Sequence, residues 1–350
     1  MLTCIACQPP EKKAIAAPEI RTEPEIHSLK IMFVGDLMNH SPQTKAAYNA
    51  KNGTYNYDSC FVFVDSILQS ADLCIGNLEF PFAGPPYTGY PMFSGPDAYA
   101  TALKNAGFDL LLCANNHSCD KKLKGLVRTL DLLDSLGLEH SGTYRDSAER
   151  AQNYPTLIEQ NEIKIALLNA TYGTNGLPVP YPSQVNLLDS VELKNDFARA
   201  RNMQADLIIM TVHWGLEYQR YPNEEQKKWA DFFIREGAGL IVGSHPHVVQ
   251  TYERRQGVPV IYSLGNFLSN QRDKYKDGGI IYEISLLKKE GKTQIASHAF
   301  HPVWVQKQMH PKLAFRLIPP NFEADTLLGT EEKKRYEDFL NYTRNHFRLD

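Results

Sequence analysis

Short apolar runs alternate with longer amphipathic runs along most of this chain, and this alternation restricts the folds open to it. The runs typical of buried strands are residues 29–34, 72–76, 108–114, 163–169, 207–212 and 240–242. The runs with helical spacing of apolar residues are 58–69, 98–106, 124–136 and 224–236. Strands that alternate with helices in this way predict a layered α/β fold.

The pattern changes from residue 259 onward. Three strand-like segments, 259–264, 279–287 and 294–305, follow one another through turns, and a helix is predicted at 331–347. A strand-rich end of this kind favours a mixed sheet, or two sheets packed face to face. Because no linker rich in Pro, Gly or Ser divides residues 29–320, we expect a single domain there.

Charge and hydropathy exclude two classes of protein. The 37 Lys and Arg residues and the 40 Asp and Glu residues give a formal net charge of −3. A nucleic-acid-binding protein usually has a basic excess or a basic stripe, and this sequence has neither, so we expect no nucleic-acid partner. No apolar run reaches the ~18 residues that a membrane-spanning helix needs.

The first residues, MLTCIACQPPEKK, place the small residue Ala6 directly before Cys7, and a polar, Pro-rich stretch continues to Pro24. One interpretation is the end of a bacterial lipoprotein signal, with Cys7 as the lipidated residue. The other is a disordered N-terminus with incidental cysteines. The predicted organisation is a signal remnant or linker at 1–27, the domain at 28–320 and a C-terminal helix within 321–350 that packs on the domain.

Polar residues follow the predicted strands at the points where the strands end. In chain order they are Asp36, Asn77 with Glu79, Asn116 with His117 and Asp120, His213, His245 with His247, and Asn266. Ligands in layered α/β folds gather beyond the carboxyl ends of the strands. We therefore expect these side chains to converge on one site.

The sequence His245-Pro246-His247 is the strongest metal-binding signal among them. Two histidines two residues apart point the same way in an extended segment, and Pro246 favours an extended conformation of His245. The alternative is one surface histidine and one histidine that caps a turn. With Asp36, Asn116 and His213 at equivalent strand ends, the metal site becomes the favoured interpretation.

Three neighbouring residues each have two interpretations. His117 is a metal ligand or general acid, or else a histidine bonded to backbone in a tight loop. Asp120 orients His117, or else caps the following helix. Glu79 is a ligand or substrate contact, or else a solvated loop carboxylate.

Several ordered blocks together span roughly residues 29–270: IMFVGDLM, ADLCIGNLEFPF, FSGP, AGFDLLLCANNHSCD, YGTNG, HWGLEY, GAGLIVGSHPHVVQ and VIYSLGNF. In this order and spacing they resemble the CapA/PgsA family of poly-γ-glutamate capsule synthesis. That family is similar in fold to the calcineurin-like metallophosphoesterases. The resemblance implies a four-layer α-β-β-α sandwich of two mixed sheets and a centre for two divalent metal ions.

The resemblance also implies roles for individual residues. Asp36, Asn116, His213, His245 and His247 match metal ligands of the metallophosphoesterases, and His117 matches the histidine of their Asn-His pair. Asn77 falls where a bridging Asp belongs, with Glu79 two residues on as a replacement. Met38 stands where a ligand histidine belongs, and His40 substitutes for it only if the loop turns back. We therefore expect one firmly bound ion (Mn, Zn, Fe or Mg) in the group of Asn116, His213 and His245, and a second bound weakly or not at all.

The function implied is a metal-dependent hydrolase or transferase acting on a phosphoester or a γ-glutamyl amide during capsule or exopolymer synthesis. His117 and Asp120 are the predicted catalytic residues. The predicted substrate-binding residues are Tyr90, Phe93, Tyr172, Asn175, Glu217 and Asn266. The alternative function is a non-catalytic component that binds an anionic polymer or a membrane-bound polymer synthase. Either way, the family and Cys7 predict an exported protein of the cell envelope, attached to the membrane only through a lipid anchor.

Overall fold

The computed structural model describes residues 25–320, 322–323 and 327–349. Cys7 and its surroundings lie outside these residues, so the predicted lipid anchor stays a prediction. The helices are α1 (Ser41–Ala47), α2 (Asp65–Leu68), α3 (Asp97–Ala106), α4 (Lys122–Leu136), α5 (Ser147–Asn153), α6 (Ser190–Asn202), α7 (Glu224–Glu236) and α8 (Thr330–His346). None of the helices in these ranges is both long enough and apolar enough to cross a lipid bilayer.

The strands fall into two large sheets and two small pairs. They are β1 (Ile26–Leu37), β2 (Tyr48–Asn49), β3 (Thr54–Tyr55), β4 (Leu73–Leu78), β5 (Leu110–Leu112), β6 (Glu139–Ser141), β7 (Thr143–Tyr144), β8 (Thr156–Gln160), β9 (Ile163–Thr171), β10 (Gln184–Val185), β11 (Leu207–His213), β12 (Leu240–Ser244), β13 (Tyr252–Arg255), β14 (Val258–Ile261), β15 (Asn266–Leu268), β16 (Gly278–Lys289), β17 (Lys292–Gln308) and β18 (Ala314–Ile318).

Both large sheets are mixed. The first has the order β18-β17-β16-β1-β4-β5-β6, with β15 also paired to β1. In it, β1, β4, β5 and β6 are parallel, whereas β16, β17 and β18 add antiparallel strands. The second has the order β13-β14-β12-β11-β9-β8, with a parallel centre and an antiparallel strand at each edge.

The side chains of β1 explain how the layers stack. Ile31 and Phe33 point into a core shared with Ile165 and Leu167 of the second sheet. The intervening Met32 packs on the other face, in a core shared with helix α3. This alternation follows from the period of two along a strand. A strand that is apolar on both faces needs cover on both, so the first sheet lies between helices and the second sheet.

The second sheet repeats the arrangement on its outer face. Met210 of β11 and Ile241 of β12 pack there with Phe197 of α6 and Phe233 of α7. The order of layers is therefore helices, first sheet, second sheet, helices. The predicted four-layer α-β-β-α sandwich of two mixed sheets is confirmed.

Helix α8 packs on the first sheet at the end of the described chain. Its Phe339 and Leu340 form a core with Trp304 of β17 and Ile318 of β18. Directly after α8, the fully buried Phe347 enters the core between the sheets. The C-terminal segment thus contacts two of the cores of the molecule, while the predicted domain boundaries stay a prediction.

One predicted element is wrong in form. The single helix expected over 58–69 is a 3-10 turn at Asp58–Cys60 followed by the short α2. The reason is that backbone hydrogen bonds here close over three residues, as from Phe61 N to Asp58 O and from Val64 N to Phe61 O. The tighter winding still buries the apolar side chains that produced the helical pattern.

Candidate metal centre

The parallel strands of both sheets end at one edge, where they bring the predicted polar residues together. Asp36 lies near the end of β1, Asn77 in β4 and Glu79 directly after β4. His213 ends β11, and the loop after β12 carries the two histidines of the His-Pro-His sequence. The side chains of Asp36, Asn77, Glu79, Asn116, His117, His213, His245 and His247 are all buried.

Asp36, Glu79 and His247 form a first group of potential metal ligands. One nitrogen or oxygen atom from each residue lies within 4.8 Å of the others. His247 Nδ1 is 3.0 Å from Asp36 Oδ2, and His247 Nε2 is 3.6 Å from Glu79 Oε1. Two carboxylates and one imidazole therefore face one point.

Glu79, His213 and His245 form a second group with the same spacing. His213 Nε2 lies 3.7 Å from Glu79 Oε1 and 3.0 Å from Asn116 Oδ1. The rings of His213 and His245 have centroids 4.8 Å apart. Glu79 belongs to both groups, so its carboxylate takes the position of a bridge between them.

Asn77 lies between the two groups and uses its amide as a donor. Its Nδ2 donates to Asp36 Oδ1 at 2.8 Å and lies 3.3 Å from His213 Nδ1. The amide thus orients a carboxylate of the first group. A role for Asn77 as a metal ligand stays a prediction.

The loop of His245 and His247 is not extended, and that expectation is wrong. Both residues have left-handed backbones, with φ of 101° and 57°. Such conformations are costly for residues other than glycine and persist only where the surroundings enforce them. Here Tyr218 N donates to Pro246 O at 2.8 Å, and Asn266 Nδ2 donates to His247 O at 3.2 Å. The turned backbone directs both imidazoles inward.

His117 and Asp120 form a buried pair beside the two groups. His117 Nδ1 lies 2.8 Å from Asp120 Oδ2, which also accepts a hydrogen bond from Phe93 N at 2.8 Å. Asn115 Oδ1 accepts from His117 N and fixes the loop. The alternative of Asp120 as a helix cap is wrong. The N-cap residue of α4 is Lys121, and no side chain caps this helix with a hydrogen bond.

Burial sets the charge of the ligand candidates. It lowers the pKa of His245 to about 3 and the pKa of His213 well below its usual value, so both imidazoles are neutral near pH 7. Burial also raises the pKa of Glu79 well above its usual range, and the neighbouring Asp36 carboxylate raises it further. Neutral imidazole is the form that binds metal, and metal binding displaces the proton from a carboxyl ligand.

Two unpaired atoms test whether these residues fit a metal ion. Within the described residues, Glu79 Oε1 and His245 Nδ1 are buried and have no hydrogen-bond partner. Such atoms are costly unless something else binds them. Carboxylate, imidazole and amide donors together suit Zn, Mn or Fe. The cluster therefore fits a divalent cation.

Met38 and His40 lie outside both groups. Met38 is buried in the core between the first sheet and its helices. His40 Nδ1 lies 3.2 Å from Gln43 Oε1, and the His40 ring has its centroid 5.3 Å from that of Phe93. The loop therefore directs His40 toward Phe93 and Gln43.

Some of the predicted substrate-binding residues are exposed to solvent, and the others are buried. Tyr90 and Tyr172 are 75% and 45% exposed, and the Tyr172 ring lies 4.6 Å from that of His245. Phe93 is buried, with its centroid 4.7 Å from that of His117. Asn175 and Glu217 are exposed. Asn266 is buried, and its Nδ2 donates to backbone and to Gln271 Oε1.

Sequence reasoning missed Tyr218 as an individual residue. Its ring centroid lies 6.1 Å from that of His247, and Lys276 Nζ lies 4.1 Å from the centre of the Tyr218 ring. Its backbone is left-handed, with φ of 66°, which is unusual for a bulky side chain. The only signal in the sequence was its place at the end of HWGLEY, three residues after a glycine.

The fold and this cluster define a layered α/β protein with a candidate metal centre at the strand ends. The chain belongs to the family described as "Bacterial capsule synthesis protein PGA_cap", whose model matches residues 30–271. The family expected from the sequence blocks is thus confirmed.

Individual proteins similar to this chain include two from Bacillus. "Capsule biosynthesis protein CapA" of Bacillus anthracis is 29% identical over 273 residues, covering 73% of this chain and 64% of that protein. "PGA biosynthesis protein CapA" of Bacillus subtilis (strain 168) is 28% identical over 263 residues, covering 73% and 66%. The chain therefore spans slightly less than two thirds of the length of each.

Among solved structures, the calcineurin-like phosphoesterase YfkN from Bacillus subtilis is similar to this chain with a TM-score of 0.45 and 13% sequence identity. The similarity covers 91% of this chain and 100% of that one.

Proposed function

We propose that this protein is a metal-dependent hydrolase or transferase of the cell envelope, acting in the synthesis of poly-γ-glutamate or a related exopolymer. The observation that carries the proposal is the buried Glu79 carboxylate, which is shared by two groups of ligands and whose Oε1 has no hydrogen-bond partner among the described residues. The similarity to the capsule and PGA biosynthesis proteins of Bacillus supports the assignment to capsule synthesis.

The ligand sets follow from the two groups. Asp36, Glu79 and His247 would hold one ion, and Glu79, His213 and His245 another, with the Asn116 Oδ1 atom beside His213 as a further donor. We propose that the second set fills first, because it has this extra donor. A divalent cation bound there supplies a nucleophile at neutral pH by lowering the pKa of a water molecule.

His117 is the proposed general acid. Its Nδ1 is engaged by Asp120, which fixes the ring and leaves Nε2 to donate a proton to the leaving group. Phe93 N holds the same Asp120 oxygen, so the carboxylate is fixed from two sides. Burial of His117 and Asp120 keeps water away from this pair and strengthens their interaction.

The substrate is a phosphoester or a γ-glutamyl amide, carried by an anionic polymer or by a small anionic molecule. We propose that Tyr90, Phe93, Tyr172, Asn175, Glu217 and Asn266 shape the substrate site. A membrane-bound polymer synthase is the proposed protein partner, and a lipid on Cys7 is the proposed anchor.

The test is to measure metal content and hydrolysis on the same purified protein. We expect about one or two divalent ions per chain, and cleavage of a chromogenic phosphodiester or of a γ-glutamyl oligomer. His117→Gln should lower kcat by about 10²–10⁴-fold and leave the metal content unchanged. His310→Gln, at an exposed histidine outside the cluster, is the matched control and should retain full activity.

One observation favours the non-catalytic alternative. Asn77 brings an amide to the place where the resemblance puts a bridging Asp, so the two groups share the single carboxylate of Glu79. A protein that binds stoichiometric metal, cleaves neither substrate and functions equally well with His117→Gln would be such a polymer-binding component.

A further inference from the structure

A groove lined by tyrosines lies beside helix α1, outside both groups of candidate metal ligands. Its cavity volume is about 260 Å³, and its lining residues are Ser41, Thr44, Lys45, Tyr48, Tyr55 and Tyr87. The lining thus combines three aromatic rings with hydroxyl groups and one cation, and it includes no carboxylate. Aromatic walls with a few placed polar groups are typical of ligand sites.

A small hairpin holds two of the rings. Strands β2 and β3 pair antiparallel with Tyr48 directly opposite Tyr55, and the two ring centroids are 5.2 Å apart. Tyr87 meets Tyr55 edge to face, also at 5.2 Å and with an interplanar angle of 84°. The rings therefore form an angled corner rather than a stack. Tyr48 remains 42% exposed, so this corner is open to solvent.

One loop connects the groove to the candidate metal centre. Three residues after Tyr87, Tyr90 has its ring centroid 6.4 Å from that of Phe93, which contacts His117. The loop rests directly on the start of α1, because a Cβ at Gly89 would lie 2.6 Å from Ser41 N. The groove and the centre are thus connected through the contacts of this one loop.

The distance between the two ends suits a chain molecule. His40, directly before α1, contacts Phe93. Lys45 lies five residues further along the helix, which corresponds to about 8 Å of helical rise. A ligand that reaches from the centre to the groove must therefore be longer than a single small group.

From this lining we infer that the groove binds a negatively charged saccharide unit, as a subsite for the phosphoester alternative of the proposed substrate, an extended saccharide chain whose phosphoester lies at the metal centre. The apolar face of a tyrosine packs on the C–H face of a sugar ring, and its hydroxyl bonds to sugar hydroxyls. Lys45 pairs with a carboxylate or phosphate on the sugar. A polypeptide with a carboxylate on every residue would need several cations, and the groove has one. Only the link to a reacting bond rests on the proposed function; binding of the saccharide does not.

The test is calorimetric titration of the full chain with three oligomers: trigalacturonate, the neutral cellotriose and tri-γ-glutamate. We expect trigalacturonate to bind most tightly. Tyr55→Ala and Tyr87→Ala should each lower the binding affinity for both saccharides at least tenfold. Lys45→Met should lower the affinity for trigalacturonate to that for cellotriose. Tyr181→Ala, at a tyrosine that is 92% exposed and outside the groove, should change nothing.

The variants Tyr55→Ala and Tyr87→Ala change different parts of the fold, because Tyr55 lies in the hairpin and Tyr87 in a loop. A loss of binding in both therefore does not come from misfolding of one element. The inference is overturned if neither saccharide binds, if the tyrosine variants bind normally, or if tri-γ-glutamate binds best and depends on Lys45 alone. Hydrolysis assays separate the two proposals. If the unmodified protein cleaves neither the phosphodiester nor the γ-glutamyl oligomer, the catalytic function is rejected, whereas saccharide binding still decides whether the groove is a subsite.

Discussion

Glu79 is the residue at which fold stability and metal binding conflict. Its carboxyl group is fully buried beside Asp36, which raises its pKa and makes the ionised form costly without a cation. We expect Glu79→Gln to stabilise the metal-free protein by about 1 kcal/mol, or about 2 °C in Tm. The same variant should lose most of its bound metal, because both groups share this side chain.

Thermal unfolding in the presence of a chelator measures the stability of the metal-free protein. Elemental analysis measures the amount of bound metal. Glu337→Gln, at an exposed glutamate of α8, is the control and should change neither quantity. A metal-free Glu79→Gln protein that is less stable than the unmodified protein would contradict the account of Glu79 as a buried, unfavourable charge.

His40 gives the protein a pH-dependent stability. Burial lowers its pKa to about 4, while in the unfolded chain the pKa is near 6.5. Between these values the unfolded chain takes up a proton that the folded chain does not, so stability is lost as the pH falls from 6.5 toward 4. Between pH 7 and pH 5, we expect the unmodified protein to lose about 2 kcal/mol more than His40→Asn.

Urea unfolding in the presence of a chelator at several pH values measures this difference. The buried His213 and His245 are present in both proteins, so their contributions to the pH dependence of stability cancel in the comparison. His310→Asn serves as the exposed control. Parallel pH profiles for the unmodified protein and His40→Asn would show that His40 is not the group responsible.

Sequence reasoning predicted that the candidate site residues lie together, but it did not predict their conformations. Asp36, His213 and His245 were identifiable because each follows an apolar strand, and parallel strands end together. The left-handed backbone of His245 was not identifiable, because it depends on contacts such as Tyr218 N to Pro246 O, between residues far apart in sequence. Tertiary hydrogen bonds here override the extended preference before proline.

At the scale of elements, accuracy followed the strength of the local signal. Helix α7 was predicted at its observed bounds, because Asn223 caps its start and Gly237, with φ of 111°, ends it. Helix α6 was missed, although Asp189 accepts hydrogen bonds from the backbone of its first turn. Most of its residues are polar or charged, and only Leu193, Phe197 and Ala200 form an apolar stripe.

The end of strand β1 depends on a glycine directly before Asp36. A Cβ at Gly35 would lie 1.9 Å from Gly265 O, the same oxygen that accepts a hydrogen bond from Asp36 N. We expect Gly35→Ala to force β1 and β15 apart, to destabilise the protein by about 3 kcal/mol and to weaken metal binding. Gly173→Ala, where a Cβ has open space, is the control. A Gly35→Ala protein with unchanged stability and unchanged metal affinity would contradict this close approach of Gly35 to Gly265.

At the scale of the whole molecule, the C-terminal helix supports a loop at the site. Arg220, two residues after Tyr218, lies between the rings of Tyr275 and Tyr342, at 4.0 and 5.4 Å. His346 Nε2 lies 2.8 Å from Arg220 O. Tyr342 and His346 belong to α8, beyond the residues that the family model matches. The site loop is therefore held by a part of the chain that lies outside the residues matched by the family model.

The two sheets contribute different ligands to the same centre, so a bound cation should join them. Asp36 and Glu79 come from the first sheet, and His213, His245 and His247 from the second. An ion that binds only the folded chain stabilises it by about 2.7 kcal/mol at a free concentration of 100 Kd, which corresponds to about 4 °C in Tm here. We expect Mn²⁺ added to chelator-treated protein to raise Tm by this amount. Glu79→Gln from one sheet and His245→Gln from the other should each abolish most of the rise, whereas Glu337→Gln and His310→Gln should not. An unchanged Tm in Mn²⁺, or a rise that survives in both ligand variants, would mean that no ion links the sheets at this edge.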